Sequence, residues 1–343
     1  VNPLKKGVLR VACSRTMRRL YAPLLRNRAA ILMFHRFACP DAGVEGHSPA
    51  TLRAVLERLR RDRYRVVGLA ELFAALDEGR VPEPNTVAFT IDDGYWDQAE
   101  IGGAVFAEYD CPVTTFATTG FLDGTLWFWW DRVDYVLRRT PRPSLEASVG
   151  NVAWRAATAG DADRRRARAE FVALCKSVSE EDKLAAIERL AERAEVALPS
   201  APPREYAPLS WADLPRYEAR GMTFGPHSVT HPVLSRVGDE QSRGEIDGSW
   251  RTLRARASRP APIFCYPNGK ATDFGPRETR LLAEIGLRGA VTGVSGYATA
   301  AGAGERGDCL YRVRRFAYEA HPLLVLQCAS GFERVKQLIR REA

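Results

Sequence analysis

The sequence predicts an α/β protein built on parallel strands, either an open sheet or a barrel, and three observations carry that prediction. Short apolar runs rich in β-branched and aromatic residues recur along the 343 residues. Stretches with apolar residues at helical spacing separate them. Strands joined by helical crossovers at this interval run parallel. The rhythm breaks over residues 121–205 and then resumes, so the layout is a discontinuous body (29–120 and 206–343), an α-helical insertion (121–205) and an N-terminal segment (1–28).

In the N-terminal segment, Leu9, Cys13, Met17, Leu20 and Leu24 lie near helical spacing among basic residues, which reads as one amphipathic helix ending near Pro23. Lys5, Lys6, Arg10, Arg15, Arg18, Arg19, Arg26 and Arg28 are unopposed by any acid there. The chain's formal charge is also +8, from 50 basic and 42 acidic residues, so the remainder is neutral. Nucleic acid is therefore not an expected partner of the main body. The plainer expectation is a helix packed on the outside of the body with a solvated basic face; peripheral membrane contact through residues 1–28 is the alternative. The segment lacks the apolar core of a secretory signal, and the expectation is a cytoplasmic protein. Seven scattered cysteines without a CxxC pair argue against a disulfide framework.

Ala29–Phe34 reads as the first core strand and delivers His35 at its end. A helix follows Ser48-Pro49 with Leu52, Val55, Leu56 and Leu59 on one face. Arg65–Val67 is a short strand, Leu69–Leu76 a helix, and Pro82–Asn85 a loop before the buried run Thr86–Ile91. A helix around Gln98–Tyr109 and the strand Val113–Ala117 complete this half. In the insertion, Trp127-Phe-Trp-Trp130 leads into a helix to Arg139. A Pro/Ser/Gly-rich link then precedes charged helices at about 161–177 and 180–197. Beyond it come a helix near Trp211–Arg220, the strand Met222–Gly225, a helix at about 239–257, the strand Pro262–Tyr266 and the helix Pro276–Ile285. Ala290-Val291 and Leu310–Phe316 read as late strands, 293–307 as a Gly/Ala-rich loop and Phe332–Arg341 as a closing helix.

The chemistry gathers at strand ends. Asp92 and Asp93 close the run Thr86–Ile91, with Gly94 permitting a sharp turn. Adjacent strand residues point to opposite sides, so one carboxylate can hold a metal while the other handles a proton. His227 and His231 stand four residues apart after the strand Met222–Gly225. Asp93, His227 and His231 together are a ligand set of the type a catalytic zinc takes, with a fourth position left for water. The bland alternatives are a helix-capping aspartate pair and incidental surface histidines. Both weaken because the two features occur together. His47 reads as structural, and Cys265 as a small buried hydrophobe.

Thr90-Ile-Asp-Asp-Gly94, His227-Ser-Val-Thr-His231-Pro232 and Phe264-Cys-Tyr-Pro-Asn-Gly269 resemble the first three motifs of the polysaccharide deacetylases, carbohydrate esterase family 4. Ile31–His35 is similar to the opening strand of many intracellular members, and Leu209–Leu214 to the helix leading into the histidine motif. The resemblance covers roughly residues 29–120 and 206–316. It implies a distorted (β/α) barrel that removes an N- or O-acetyl group with a divalent metal, usually Zn2+, with Co2+, Ni2+ or Mn2+ as alternatives. Carried over by position, Asp93, His227 and His231 would bind the metal, Asp92 would be the general base, and the backbone N–H of Asn268 would face the oxyanion. Tyr266 and Pro267 would shape that wall. Tyr95 would line the site, and Trp127, Trp129 and Trp130 would stack on sugar rings or pack the insertion.

Two departures from the family pattern stand out. Cys265 replaces the arginine that usually orients the base, so another group or a water must do so. The late histidine that serves as general acid has no counterpart in its usual context, which leaves His35 and His321 as candidates, or Asp92 acting twice. The expected function is deacetylation of an amino sugar in a glycan, glycoconjugate or glycosylated metabolite. Hydrolysis of another C–N amide bond, or carbohydrate binding without catalysis, are its alternatives.

Overall fold

The computed structural model describes residues 2–80, 84–299, 310–318 and 321–342. In chain order the strands are β1 (Arg28–Phe34), β2 (Arg65–Val66), β3 (Thr86–Asp93), β4 (Val113–Ala117), β5 (Ser144–Val149), β6 (Val152–Ala157), β7 (Met222–Pro226), β8 (Ile263–Cys265), β9 (Gly289–Ser295), β10 (Ala298–Thr299) and β11 (Val313–Ala317). Seven of them form a parallel sheet in the order β7-β4-β3-β1-β11-β9-β8. Its two edges nearly meet: Phe224 of β7 bridges Pro260, and the Ala261 N–H donates to the Phe224 carbonyl at 2.7 Å. The result is an almost closed barrel with helices outside, the expected fold. Because all seven strands run the same way, their C-terminal ends share one mouth. That common mouth is where loop-borne catalytic groups of α/β barrels gather.

Alternate residues of each strand face the interior. Ala29 and Ile31, Ala88, Phe116, Ile263 and Cys265, Val291 and Val313 pack there. The helix Leu69–Asp77 supplies Leu69, Leu72, Phe73 and Leu76 to the same cluster. This apolar filling keeps water out beneath the mouth, so the polar groups above it stand on a dry floor.

The chain divides into a unit of residues 1–123 and 208–343 and a unit of residues 124–207. The second has its own core, in which the helices Trp129–Arg139, Asp161–Cys175 and Glu180–Arg193 bury Val133, Val136, Leu137, Phe171, Ile187 and Leu190. It is not purely helical. Where the sequence suggested a link, β5 and β6 form an antiparallel hairpin with Val149 opposite Val152. The turn is Gly150-Asn151, with Gly150 at φ 55°. A Gly-Asn pair between alternating apolar residues is a hairpin signal, and the small and polar residues around it read as a link.

Three further expectations change. The N-terminal segment is two helices, Pro3–Ala12 and Arg15–Tyr21, because Ser14 caps the second by accepting from the Met17 N–H at 3.4 Å. Periodicity runs on across the break, so spacing alone concealed it. The loop expected at 293–307 is strand up to Ser295 and again at Ala298–Thr299, which pairs antiparallel with β1; its remainder from residue 300 lies outside the described residues, as do positions 82 and 83 of the loop before β3. A helix at Pro322–Ala329, started by Pro322, precedes the closing helix Phe332–Glu342.

Candidate active site

On β3 the inward sequence Ala88, Thr90, Asp92 places one carboxylate at the top of the barrel interior. Facing it is Arg315 of β11, inward by the same alternation from Val313. Its Nη1 and Nη2 each reach an Asp92 oxygen at 2.7 Å, a bidentate pair. The guanidinium also donates to Thr90 Oγ1 at 3.0 Å, the Thr292 carbonyl at 2.9 Å and Cys265 Sγ at 3.2 Å. Both members of the pair are buried. Arg315 thus occupies the role that the third motif leaves open at Cys265: the arginine arrives from another strand, and the small thiol makes room for it. A charged residue at an inward position of a late strand was the available signal. It was missed because that strand was read only as core.

Asp93, one residue on, turns the other way. Its φ is 94°, in the left-handed region, and Gly94 follows at 99°. Among the described residues, four of the nine non-glycine residues with positive φ are Asp93, Ser228, His231 and Asn268, so backbone strain collects at the three motifs, as it does at sites under functional constraint. Gln98 fixes the turn. Its Oε1 accepts from the Gly94 N–H at 3.0 Å, and its Nε2 donates to the His35 carbonyl at 2.6 Å and also to the Asp92 carbonyl.

The Asp93 Oδ1 lies 3.6 Å from His227 Nε2 and 3.7 Å from His231 Nε2. Ligand atoms around one tetrahedral zinc sit about 3.3 Å apart at normal bond lengths, so these three atoms suit a shared cation. The His227 ring is oriented by Nδ1, 2.8 Å from the Cys265 carbonyl, which directs Nε2 towards Asp93. The turn between the histidines is held from below by buried Glu245. That carboxylate accepts from the Val229 and Thr230 N–H groups, each at 2.8 Å, and from the Thr230 hydroxyl.

Burial alone would raise Asp92, but the charge and hydrogen bonds of Arg315 outweigh it and hold the carboxyl well below the usual range. Asp93 behaves similarly: burial raises it, and the His227 hydrogen bond with the charges of His35, His231 and His227 lowers it. Burial, with the neighbouring charge of His227, drives His231 down to about 3. The site therefore offers two ionised carboxylates and a neutral His231 at neutral pH. Burial opposes charge on His227, but Cys265 and the Asp93 hydrogen bond outweigh it and raise it well above the usual imidazole range, so a cation would displace its proton on binding. The Cys265 thiol is pushed up by burial and stays protonated, donating to Asp92 Oδ2 at 3.4 Å.

The remaining candidates are placed as follows. Asn268 is exposed at φ 57°, and its N–H has no hydrogen-bond partner among the described residues. That position suits an oxyanion donor. Gly269 behind it admits no Cβ, which would come within 2.4 Å of the Gly293 nitrogen. Pro267 is buried. Tyr266 turns into the wall, stacked on Phe274 at 3.9 Å with its hydroxyl donating to the Tyr311 carbonyl at 3.1 Å, so it braces the third motif and does not reach into the mouth. Tyr95, expected to line the site, is likewise buried, between the Arg36 guanidinium at 3.9 Å and the Phe121 ring at 5.0 Å.

His35 has an exposed side chain at the mouth end of β1 and acts electrostatically on both Asp92 and Asp93. His321 has a different setting. Its Nδ1 caps the helix Pro322–Ala329 by accepting from the Leu323 N–H at 3.2 Å, and its charged neighbours are Lys6 and Arg10. The general-acid candidacy of His321 loses its basis there. Trp127, Trp129 and Trp130 belong to the second unit. There Trp127 packs on Tyr135, Trp129 under the Lys183 ammonium and Trp130 on Phe128.

No curated protein matches the chain. Among solved structures it resembles the Streptococcus pyogenes deacetylase PplD in complex with acetate (16% identity, TM-score 0.56, covering 88% of this chain and 98% of that one). It also resembles IcaB from Ammonifex degensii (15%, 0.55, 89% and 97%) and the BpsB deacetylase domain from Bordetella bronchiseptica (14%, 0.50, 85% and 96%). At such identities the likeness shows the shared barrel fold. The polysaccharide deacetylase family profile matches residues 79–289, which include the carboxylate pair, both histidines and the third-motif turn. The chain belongs to the polysaccharide deacetylase family, hydrolases of carbon–nitrogen bonds other than peptide bonds.

Proposed function

We propose that the protein is a metal-dependent deacetylase that removes the N-acetyl group of an amino sugar carried in a glycan, glycoconjugate or glycosylated metabolite. The observation that carries this reading is the convergence of Asp93, His227 and His231 at ligand spacing beside a second carboxylate held in the ionised form. A divalent ion held by those three residues, zinc by the chemistry of the donor set, supplies Lewis-acid polarisation of the acetyl carbonyl and acidifies a water.

The chain's own residues do the rest. Asp92 accepts the proton of the attacking water on a lone pair that Arg315 leaves open, and Arg315 keeps the carboxylate in one orientation throughout. The Asn268 N–H donates to the oxygen on which negative charge develops, where a fixed donor in a dry site is most effective. In this reading His35, exposed at the end of β1, protonates the departing amine. Arg315 supplies an orienting partner for Asp92, which weighs against a non-catalytic binder; the late histidine of the family pattern still has no counterpart in its usual context.

The test is metal content by mass spectrometry combined with acetate release from N-acetylglucosamine conjugates of increasing length. One ion per chain and acetate from at least one conjugate are expected. A metal-free protein, or a metal-loaded one that releases acetate from none of them, would overturn the reading.

A further inference from the structure

The first unit leaves five large apolar side chains exposed among its described residues: Leu4 (80%), Val8 (54%), Val11 (67%), Leu20 (65%) and Ile339 (62%). All five stand on three helices, Pro3–Ala12, Arg15–Tyr21 and Phe332–Glu342. These helices are neighbours. The first packs on Pro322–Ala329, that one on Phe332–Glu342, and the latter on the second helix, with Phe332 stacked on Tyr21.

Leu4, Val8 and Val11 are spaced i, i+4, i+7 and so form one stripe. Leu9 and Ala12 of the same helix are buried. The helix therefore has two apolar faces, one against the barrel and one turned to solvent. A helix that served only to cover the barrel would need just the first.

The helices Pro3–Ala12 and Arg15–Tyr21 carry basic residues and no acid, and the nearby Glu333 is paired with Lys336 at 2.7 Å. Lys5, Lys6, Arg10 and Arg19 make no ion pair with a described carboxylate, whereas Arg15 and Arg18 anchor the segment through Asp62 and the Tyr64 ring. An apolar stripe flanked by unpaired cations fits the headgroup–acyl boundary of an anionic bilayer. It fits a protein surface poorly, since an apolar docking face there excludes lysine.

A groove of about 740 Å³ opens beside the same helix. Its lining includes Gly293, whose N–H donates to the Gly269 carbonyl of the third-motif turn at 2.8 Å, and Ala317, two residues beyond Arg315 on β11, together with Lys5, Val8 and Phe332.

We propose that the helices Pro3–Ala12, Arg15–Tyr21 and Phe332–Glu342 form a docking face for an anionic lipid bilayer, on the side where this groove approaches the barrel mouth. The apolar stripe enters the boundary region, and Lys5, Lys6, Arg10 and Arg19 contact phosphate headgroups.

Flotation of the full chain with phosphatidylcholine vesicles, with and without phosphatidylglycerol, tests this without reference to deacetylation. Expected are binding to the anionic vesicles only and a steep loss as salt rises. Partitioning should fall about tenfold or more for the combined Leu4→Glu, Val8→Glu and Val11→Glu variant, and clearly for Lys5→Gln, Lys6→Gln and Arg10→Gln together. The substituted side chains are exposed, apart from half-buried Lys6, and an unchanged circular-dichroism melt confirms the fold. Absence of flotation with anionic vesicles, or equal flotation of both variants and the parent, overturns the proposal. So does light scattering that shows a dimer dispersed by the triple glutamate variant, because the stripe then belongs to a second copy of the chain.

Discussion

Replacing Arg315 by methionine removes the cation that both oxygens of Asp92 touch and leaves the carboxylate where it is, sealed above the apolar barrel floor. Breaking one side of a buried ion pair costs about 3–5 kcal/mol, equivalent to a fall of about 4–7 °C in Tm for a chain of this size. The pH dependence identifies the cause. In the parent, the Asp92 pKa is depressed, so its contribution to stability is present above its unfolded value of about 3.9 and is lost as pH falls through the folded value. In the variant, burial acts without Arg315 and the folded pKa rises above the unfolded one. The ionised group then destabilises at neutral pH, and protonation on acidification relieves it.

The stability penalty of Arg315→Met should therefore be largest near pH 7 and shrink towards pH 4. The acidic limb of kcat/KM should move up in pH, since the base is now protonated over part of the working range. Denaturant melts at several pH values and a pH–rate profile read these two effects. Returning the arginine to its family position, with Cys265→Arg and Arg315→Cys combined, should recover part of the lost activity. A penalty constant between pH 4 and 7 together with an unmoved acidic limb would refute the assignment of Arg315 as the group that orients Asp92.

Four other outcomes are expected. Asp92→Asn should keep the bound metal by mass spectrometry while turnover falls about 10²–10⁴-fold, whereas Asp93→Asn or His227→Ala should lose the ion and the activity together. His35→Gln should lower kcat and flatten the basic limb of the rate profile. His321→Ala should leave kcat unchanged and cost about 1 kcal/mol in melts through the lost helix cap. Gly94→Ala should reduce soluble yield and metal occupancy, because its Cβ would fall 2.6 Å from Leu122 Cδ1 at a φ of 99°; normal metal content in that variant would show that the turn tolerates a side chain.

Local information reached far in this chain. The alternation of apolar runs and helices forced parallel strands and hence one common mouth, and the residue types at strand ends, Asp92-Asp93 and His227…His231, specified the donor set. Secondary structure was least legible where local rules compete. Ser14 breaks the N-terminal helix without disturbing its periodicity, and Gly150-Asn151 turns a hairpin inside a stretch whose small and polar residues read as a link.

What only the tertiary structure decided is which distant residues meet. Arg315 and Asp92 are separated by 223 positions and are joined because β11 and β3 both flank β1 in a closing barrel. His321 and His35 look alike as letters, yet one caps a helix and the other stands at the rim. Spacing along a chain constrains neighbours within a few residues, through the periods of helix and strand. Pairing across a sheet depends on strand order, so a displaced arginine can supply the same charge to the same carboxylate from a position that no motif marks.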